Sequence, residues 1–325
     1  METRIPASRR MPGSSPASLP AESLQFEFRE SVFDGVRDKI KIRLFQHFTK
    51  KSSNLFLKGK DKISLYPQLV GLHEATITRL IDFFAASGHA DFFLDVGANI
   101  GLTSCQNGNK FKRIDMFEPN PLCCKILEVN CLIALAGPQW HVHNYGVGDE
   151  DKRATLMVPR HNWGGAFIND TGNSYNQATL AAKDEFSSIN DSNYFPVQIE
   201  IRRAETAFAK LFADLLEAGL YCGVVKIDVE GYEPSVLRGI AAAIPAELKL
   251  YIVFESWDAD FNVADVLEAF AGRARVYKIE RNVAWKKSWP KALKAASMLL
   301  HPNIIHRVVA NDTSNWRGYV VLHIG

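Results

Sequence analysis

The stretch FLDVGANIGLT, residues 93 to 103, sets Asp95, Gly97, Asn99 and Gly101 at the close of four residues fit for a buried strand. In an open parallel sheet, ligands gather at the carboxyl ends of the strands. Gly97 there permits a tight turn, and Gly101 lets a following helix pack close with its first amides free. The pattern is not GxGxxG: Asn99 stands at the middle glycine and Leu102 at the third, so a pyrophosphate would meet a side chain where it needs bare backbone. That argues against NAD and FAD. Glu118, inside FEPNP at the end of the next apolar run, is placed to accept from both hydroxyls of a ribose. The plainer alternative is a charge at a helix start ahead of Pro121. Ribose recognition without a pyrophosphate cradle points to S-adenosylmethionine, with Asp95 facing its ammonium and the amides near Gly97 and Asn99 facing its carboxylate and sulfonium arm.

A second acidic group lies in VVKIDVEGYEP, residues 224 to 234. An inner parallel strand is normally apolar throughout, so a lysine and two carboxylates at its end are costly unless paired or working. With a period of two, Lys226, Asp228 and Glu230 share one side if the strand persists that far. One account pairs Lys226 with one acid and leaves the other as a helix-start charge. The other has Asp228 and Glu230 border a transferable methyl group and an acceptor hydroxyl. Transfer from a sulfonium is an in-line displacement that needs alignment and a proton acceptor, because an aliphatic alcohol does not ionise unaided at neutral pH. The candidate general bases, in order, are Glu230, Asp228 and Glu255, the last closing the IVFE run; His161 and His143 rank below them. A magnesium or calcium ion on Asp228, Glu230 and Glu255 is a lesser alternative, since spacing alone defines no site, and no metal is expected.

These residues need a sheet to hold them. Short apolar runs alternate with helical periodicity: a helix in LHEATITRLIDFFAAS, then FFLDV, RIDMF, WHVHNY, GVVKIDV, LKLYIVFE and RVYKI with helices between. That alternation predicts a mainly parallel α/β sheet with helices on both faces. The final GYVVLHIG reads as a strand with no helix after it, inserted antiparallel. ATLMVP and VQIEIR flank a long polar stretch, which predicts a hairpin-like addition over the site. Within it, Trp163 beside a glycine pair offers an aromatic face for a sugar ring.

The combination LDVGANIG, FEPNP, GVGDED and KIDVEGYEPSVLRG resembles the FkbM family of S-adenosylmethionine-dependent methyltransferases, over roughly residues 71 to 258. The resemblance implies a class I, Rossmann-like sheet of seven strands, mainly parallel with an antiparallel last strand. It implies O-methylation of a hydroxyl on a sugar, glycan or natural product. On these positions, Asp95, Gly97, Asn99 and Gly101 would line the cofactor, Glu118 the ribose, and the Gly148-Asp149 turn the adenine edge. Tyr232 departs from the family, whose residue after VEG is usually small.

The expected organisation is a disordered tail over 1–21, an accessory segment over 22–70 and a methyltransferase domain over 71–325, with an insertion at 151–203 and a basic, aromatic segment at 284–303. Of 325 residues, 47% are hydrophobic, enough for a sizeable core. Lys plus Arg total 38 against 36 Asp plus Glu, so the formal charge of +2 gives no global mandate for nucleic acid or membrane. The five cysteines show no CxxC spacing and read as reduced core thiols in a cytoplasmic protein. A small-molecule or glycan acceptor is expected, with peripheral membrane contact through the basic, aromatic segment left open. The alternatives are an RNA methyltransferase and a non-catalytic scaffold built on the same fold.

Overall fold

The computed structural model describes residues 27–48, 72–171, 173, 188–256, 263–286, 288–301, 303–310 and 318–325. The tail expected over 1–21 lies outside them. Where an accessory segment was expected, a strand β1 (Glu27–Ser31) runs into helix α1 (Val32–Phe48). After α2 (Ala75–Ala86) come β2 (Phe92–Val96), α3 (Leu102–Asn107), β3 (Arg113–Phe117), α4 (Pro121–Ala134) and β4 (Gln139–His143). Four strands follow, β5 (Gly146–Gly148), β6 (Lys152–Pro159), β7 (Phe167–Ile168) and β8 (Tyr194–Arg203). The chain then alternates through α5 (Ala204–Glu217), β9 (Cys222–Ile227), α6 (Glu233–Ala243), β10 (Lys249–Ser256), α7 (Val263–Ala269) and β11 (Ala274–Asn282). It ends with α8 (Lys291–Leu300), β12 (Asn303–Ala310) and β13 (Gly318–Ile324).

The main sheet has the order β1-β12-β11-β13-β10-β9-β2-β3-β4. Its core is as expected: β2 sits between β3 and β9, all parallel, so the strand order reverses beside the glycine loop, and β13 inserts antiparallel between β10 and β11. The expected count of seven falls short by two, and the sheet is not mainly parallel, because four of its neighbouring pairs run parallel and four antiparallel. The extra strands are β12 and β1. Ile304, His306 and Val308 of β12 are buried at alternate positions. β1 has little apolar character of its own and is held by its partner: Arg307 bonds Glu27 at 2.8 Å, and Phe28 stacks on His306 with ring centroids 4.5 Å apart.

Every residue of β2 is buried, because both faces of the sheet are covered. Leu94 and Val96 face Phe208, Phe212 and Leu215 of α5 and Val236 and Ile240 of α6. Phe93 faces the other layer, with Ile77, Leu80, Ile81 and Phe84 of α2 and Leu127 and Cys131 of α4. All five cysteines are free thiols, three of them buried.

The predicted hairpin is present: β6 and β8 pair antiparallel from Lys152 opposite Ile201 to Pro159 opposite Tyr194. They belong to a separate four-stranded sheet, β5-β8-β6-β7. Its apolar face, with Leu156, Val158, Ile168, Ile199 and Ile201, packs on Tyr232 just after β9. Among the described residues no helix is long and apolar enough to cross a membrane.

Candidate active site

Beyond Val96 the chain turns through three left-handed residues, Gly97 at φ 83°, Asn99 at 51° and Gly101 at 83°. The glycines are required by neighbours within the protein. A Cβ on Gly97 would stand 1.9 Å from the carbonyl oxygen of Asp228, and one on Gly101 would stand 2.3 Å from Leu127 Cδ1. The first approach arises because the amide of Asp228 continues the β2–β9 ladder, donating to Val96 O at 2.9 Å. The loop amides are also engaged: Gly97 N and Ala98 N both donate to Phe117 O, at 2.9 and 3.0 Å, and Asn99 N donates to Glu118 Oε2 at 2.8 Å. The amides expected to hold a ligand carboxylate instead fasten the loop to the end of β3.

That fastening positions Glu118. Its second oxygen accepts from Asn120 N at 2.7 Å, and the residue is only 6% exposed. Burial pushes the carboxyl up to about 7 against the pull of these two amides. Each oxygen keeps a lone pair for a further donor.

A cavity of about 260 Å³ opens at this end of the sheet. Gly97, Asn99 and Glu118 line it with Gly146 and Val147 of β5, and Trp163 to Ile168, the turn before β7 and β7 itself, complete the lining. Asp228, Glu230 and Glu255 line it as well, so the structure gathers all three candidate bases into one space with the glycine loop. Glu230 is 8% exposed and takes a left-handed φ of 48°, so the strand ends at Ile227 and does not carry it to a shared side with Lys226.

Four expected residues stand outside the wall. Asp95 is fully buried behind the loop, accepting from Ser104 Oγ at 2.7 Å, with its other oxygen 3.6 Å from Lys226 Nζ. Gly101 packs on α4. Gly148 lies against Ile201 and Tyr232, and Asp149 accepts from Ser235 Oγ at 2.8 Å and from Arg238 at 3.1 Å, near the start of α6. Of the histidines, His143 bonds Asp115 at 2.9 Å and His161 is exposed.

The sequence reading missed the opposite wall. His73 and Glu74, at the start of α2, line the cavity, and Tyr319 of β13 donates to Glu74 Oε1 at 3.3 Å. An acid at a helix start ordinarily reads as a cap, but Glu74 makes no side-chain cap bond and adopts a left-handed φ of 46°. Burial raises it to about 7; Lys226 opposes this, and Asp228 and Glu255 add to it. Burial, with Lys226 second, pushes His73 down to about 4, so its imidazole is neutral at pH 7. Lys226 lies amid these groups, 3.2 Å from Asp228. Its own burial disfavours the charge, but Asp228, Asp95 and Glu74 outweigh that and hold the ammonium above its ordinary range.

The residues suit a nucleoside with a free diol. Glu118 is a buried carboxylate whose charge burial disfavours, and two hydroxyl donors would relieve that. Asn99 and the apolar edge of Gly146 and Val147 flank it, with no bare amide row for a pyrophosphate. Among the described residues, no group of three or more His, Cys, Asp or Glu is arranged to hold a metal ion.

Residues 95–279, from β2 to β11, match the family described as Methyltransferase FkbM domain. Methyltransferase sdnD of Sordaria araneosa is 29% identical over an alignment of 183 residues that covers 51% of this chain and 66% of that protein. Two solved structures are more distant: the O-methyltransferase TomG of Streptomyces achromogenes in complex with SAM and a precorrin 8W decarboxylase of Methanobacterium thermoautotrophicum. TomG has a TM-score of 0.38 at 12% identity, covering 90% of this chain and 98% of that one. The decarboxylase has a TM-score of 0.37 at 11% identity, covering 80% and 94%. Neither of these two bears on the reading of the site. The family match takes in more than half of the chain and its whole glycine loop, so the protein belongs to the FkbM methyltransferase domain family, whose methyl donor is S-adenosylmethionine.

Proposed function

We propose that the protein transfers a methyl group from S-adenosylmethionine to a hydroxyl of a sugar, glycan or natural product, with a carboxylate as general base. The observation that carries this reading is that Asp228, its carboxylate 3.2 Å from Lys226 Nζ, lines the same cavity as Gly97 and Asn99 of the donor loop. Bound S-adenosylmethionine supplies an electrophilic methyl on a sulfonium. Glu118 would hold the ribose diol, and the wall of Gly146 and Val147 the adenine. Asp228, 3.2 Å from Lys226, would take the proton that the acceptor oxygen loses. Glu230 and Glu255 border the same space and orient the acceptor. Glu74, Glu118, Asp228, Glu230 and Glu255 line the cavity with Lys226, which is paired with Asp228, and this excess of carboxyl groups would meet a phosphate-rich acceptor such as RNA unfavourably.

The test is methyl transfer from tritiated donor to a panel of glycosides and hydroxylated natural products, with mixed RNA beside them. Label on an acceptor oxygen supports the reading; label on RNA bases, or on nitrogen or carbon acceptors alone, would replace it.

Two binding results are expected without any acceptor. Glu118→Ala weakens S-adenosylhomocysteine binding by about 1 to 3 kcal/mol, the range for buried hydroxyls left without partners. In the wild type, a diol favours the ionised carboxylate, so binding releases a proton and tightens as pH rises towards the Glu118 value of about 7. The gain approaches tenfold per pH unit below that value and vanishes above it, by roughly the linkage relation. Calorimetry at several pH values, in buffers of different ionisation enthalpy, reads both the slope and the proton. An affinity independent of pH would remove Glu118 from the diol.

A further inference from the structure

Helix α1 presents Phe33, Val36, Ile40 and Leu44 on one face at helical spacing, keeping 46%, 55%, 55% and 54% of their surface exposed. A soluble helix turns such a stripe inward. The inward side carries Asp38, which is 8% exposed, with Ile42 and Phe45 half-buried beside it, so the stripe is left over as a second apolar face. Cations border the stripe, Lys39 and Arg43 on one side and Arg37 and Lys41 on the other, while Asp34 and Asp38 lie away from it and accept from Arg37.

A second helix adds to this surface. Strand pairing sets Ser31 opposite Asn303, so the start of α1 and the end of α8 lie at the same end of the β1–β12 edge. There α8 exposes Leu299 and Leu300 at 70% and 76%, and its polar residues include Lys291 and Lys294, with no acid. The four strand pairs from β1 to β10 are all antiparallel, so β1 runs the same way as β10. The apolar and basic edge therefore lies at the end of the sheet where Asp228 and Glu255 line the cavity.

We infer that α1, with the end of α8, is a docking surface for an anionic lipid bilayer. An apolar stripe between two rows of Lys and Arg is the arrangement of a helix lying in a membrane interface, its apolar residues among acyl chains and its cations on headgroups. A second copy of the chain suits the surface less well, because helices packed stripe to stripe would bring their bordering cations together. The protein's total formal charge of +2 does not supply the attraction; the local concentration of cations does.

The test is sedimentation of the full chain with vesicles of phosphatidylcholine containing phosphatidylserine, and with phosphatidylcholine alone, together with its mass by light scattering. Binding is expected to the anionic vesicles, to weaken with salt, and to fall by about tenfold or more in Ile40→Glu, where an apolar anchor becomes an acid. The exposed pair Lys39→Glu and Arg43→Glu should remove the preference for phosphatidylserine. Both variants should retain S-adenosylhomocysteine affinity, which reports an intact fold and reads the cofactor site separately. No binding to anionic vesicles at low salt overturns the inference. So does equal binding by Ile40→Glu, or a wild-type dimer that this variant dissociates without any vesicle binding.

Discussion

Exchange of Asp228 for asparagine is expected to lower turnover by about 10²- to 10⁴-fold, the usual contribution of a positioned general base. The substitution keeps the shape of the side chain and leaves the backbone alone. The Asp228 amide still donates to Val96 O, and the carbonyl still closes against Gly97. Lys226 loses one partner at 3.2 Å but keeps Asp95 at 3.6 Å. The ability to take up a proton is what disappears. Affinity for S-adenosylhomocysteine should therefore remain close to wild type, and kcat and kcat/KM should fall together, as they do when an interaction made only in the transition state is lost. Glu230→Gln and Glu255→Gln are the comparison, with smaller losses expected mainly in KM. A larger loss of kcat in Glu230→Gln than in Asp228→Asn would move the base to Glu230, and an Asp228→Asn enzyme with normal kcat would end its candidacy.

Gly97→Ala should destabilise the fold by about 3 kcal/mol or more. A left-handed φ of 83° carries a penalty of roughly 1–2 kcal/mol for any residue with a Cβ. Overpacking adds a typical 1–3 kcal/mol. The obstacle, 1.9 Å away, is a backbone carbonyl just past the end of β9, beside the central strand β2, which no rotamer change can clear. Gly219 provides the contrast: its φ is 71°, but nothing lies within 4 Å of the added carbon. Gly219→Ala should cost only the conformational part, about 1–2 kcal/mol. Denaturant midpoints of the three proteins measure both effects. Equal midpoints for the two variants would show that the Asp228 carbonyl yields, and that the donor loop is not set by it.

The glycine loop, Glu118 and the inserted last strand were legible because each follows from local pattern: a buried run, a break, an acid, a terminal strand without a helix. Gly97 was legible as a necessity but not in its cause, since the neighbour that forbids a side chain is 131 positions away in VVKIDVEG. His73 and Glu74 were hidden for a related reason. Their helix start reads as an ordinary one, and only the sheet order brings it against Asp228, Glu255 and Tyr319. The edge strands were missed differently. NIIHRVVA alternates in burial, but its tract of apolar residues sits beside a basic, aromatic segment that reads as helix, and EFRES becomes a strand only through its pairing with that neighbour.

The cavity is closed by two sheets that share no strand. The glycine loop, Glu118 and Asp228 stand at the strand ends of the larger one, while Phe167 and Ile168 belong to the smaller one, which meets the other through Val147 in the main core, through Tyr232 with its 2.6 Å bond to Asp170, and through the 3.0 Å bond from Asn173 to Glu230 O. The lining around Trp163 and Ile168 is thus anchored apart from the strand ends that carry the glycine loop, and β5 ties the smaller sheet to the main core. On the proposed reading, exchanging residues 162–168 between relatives, with β5 left in place, is expected to change the acceptor taken while affinity for S-adenosylhomocysteine stays the same.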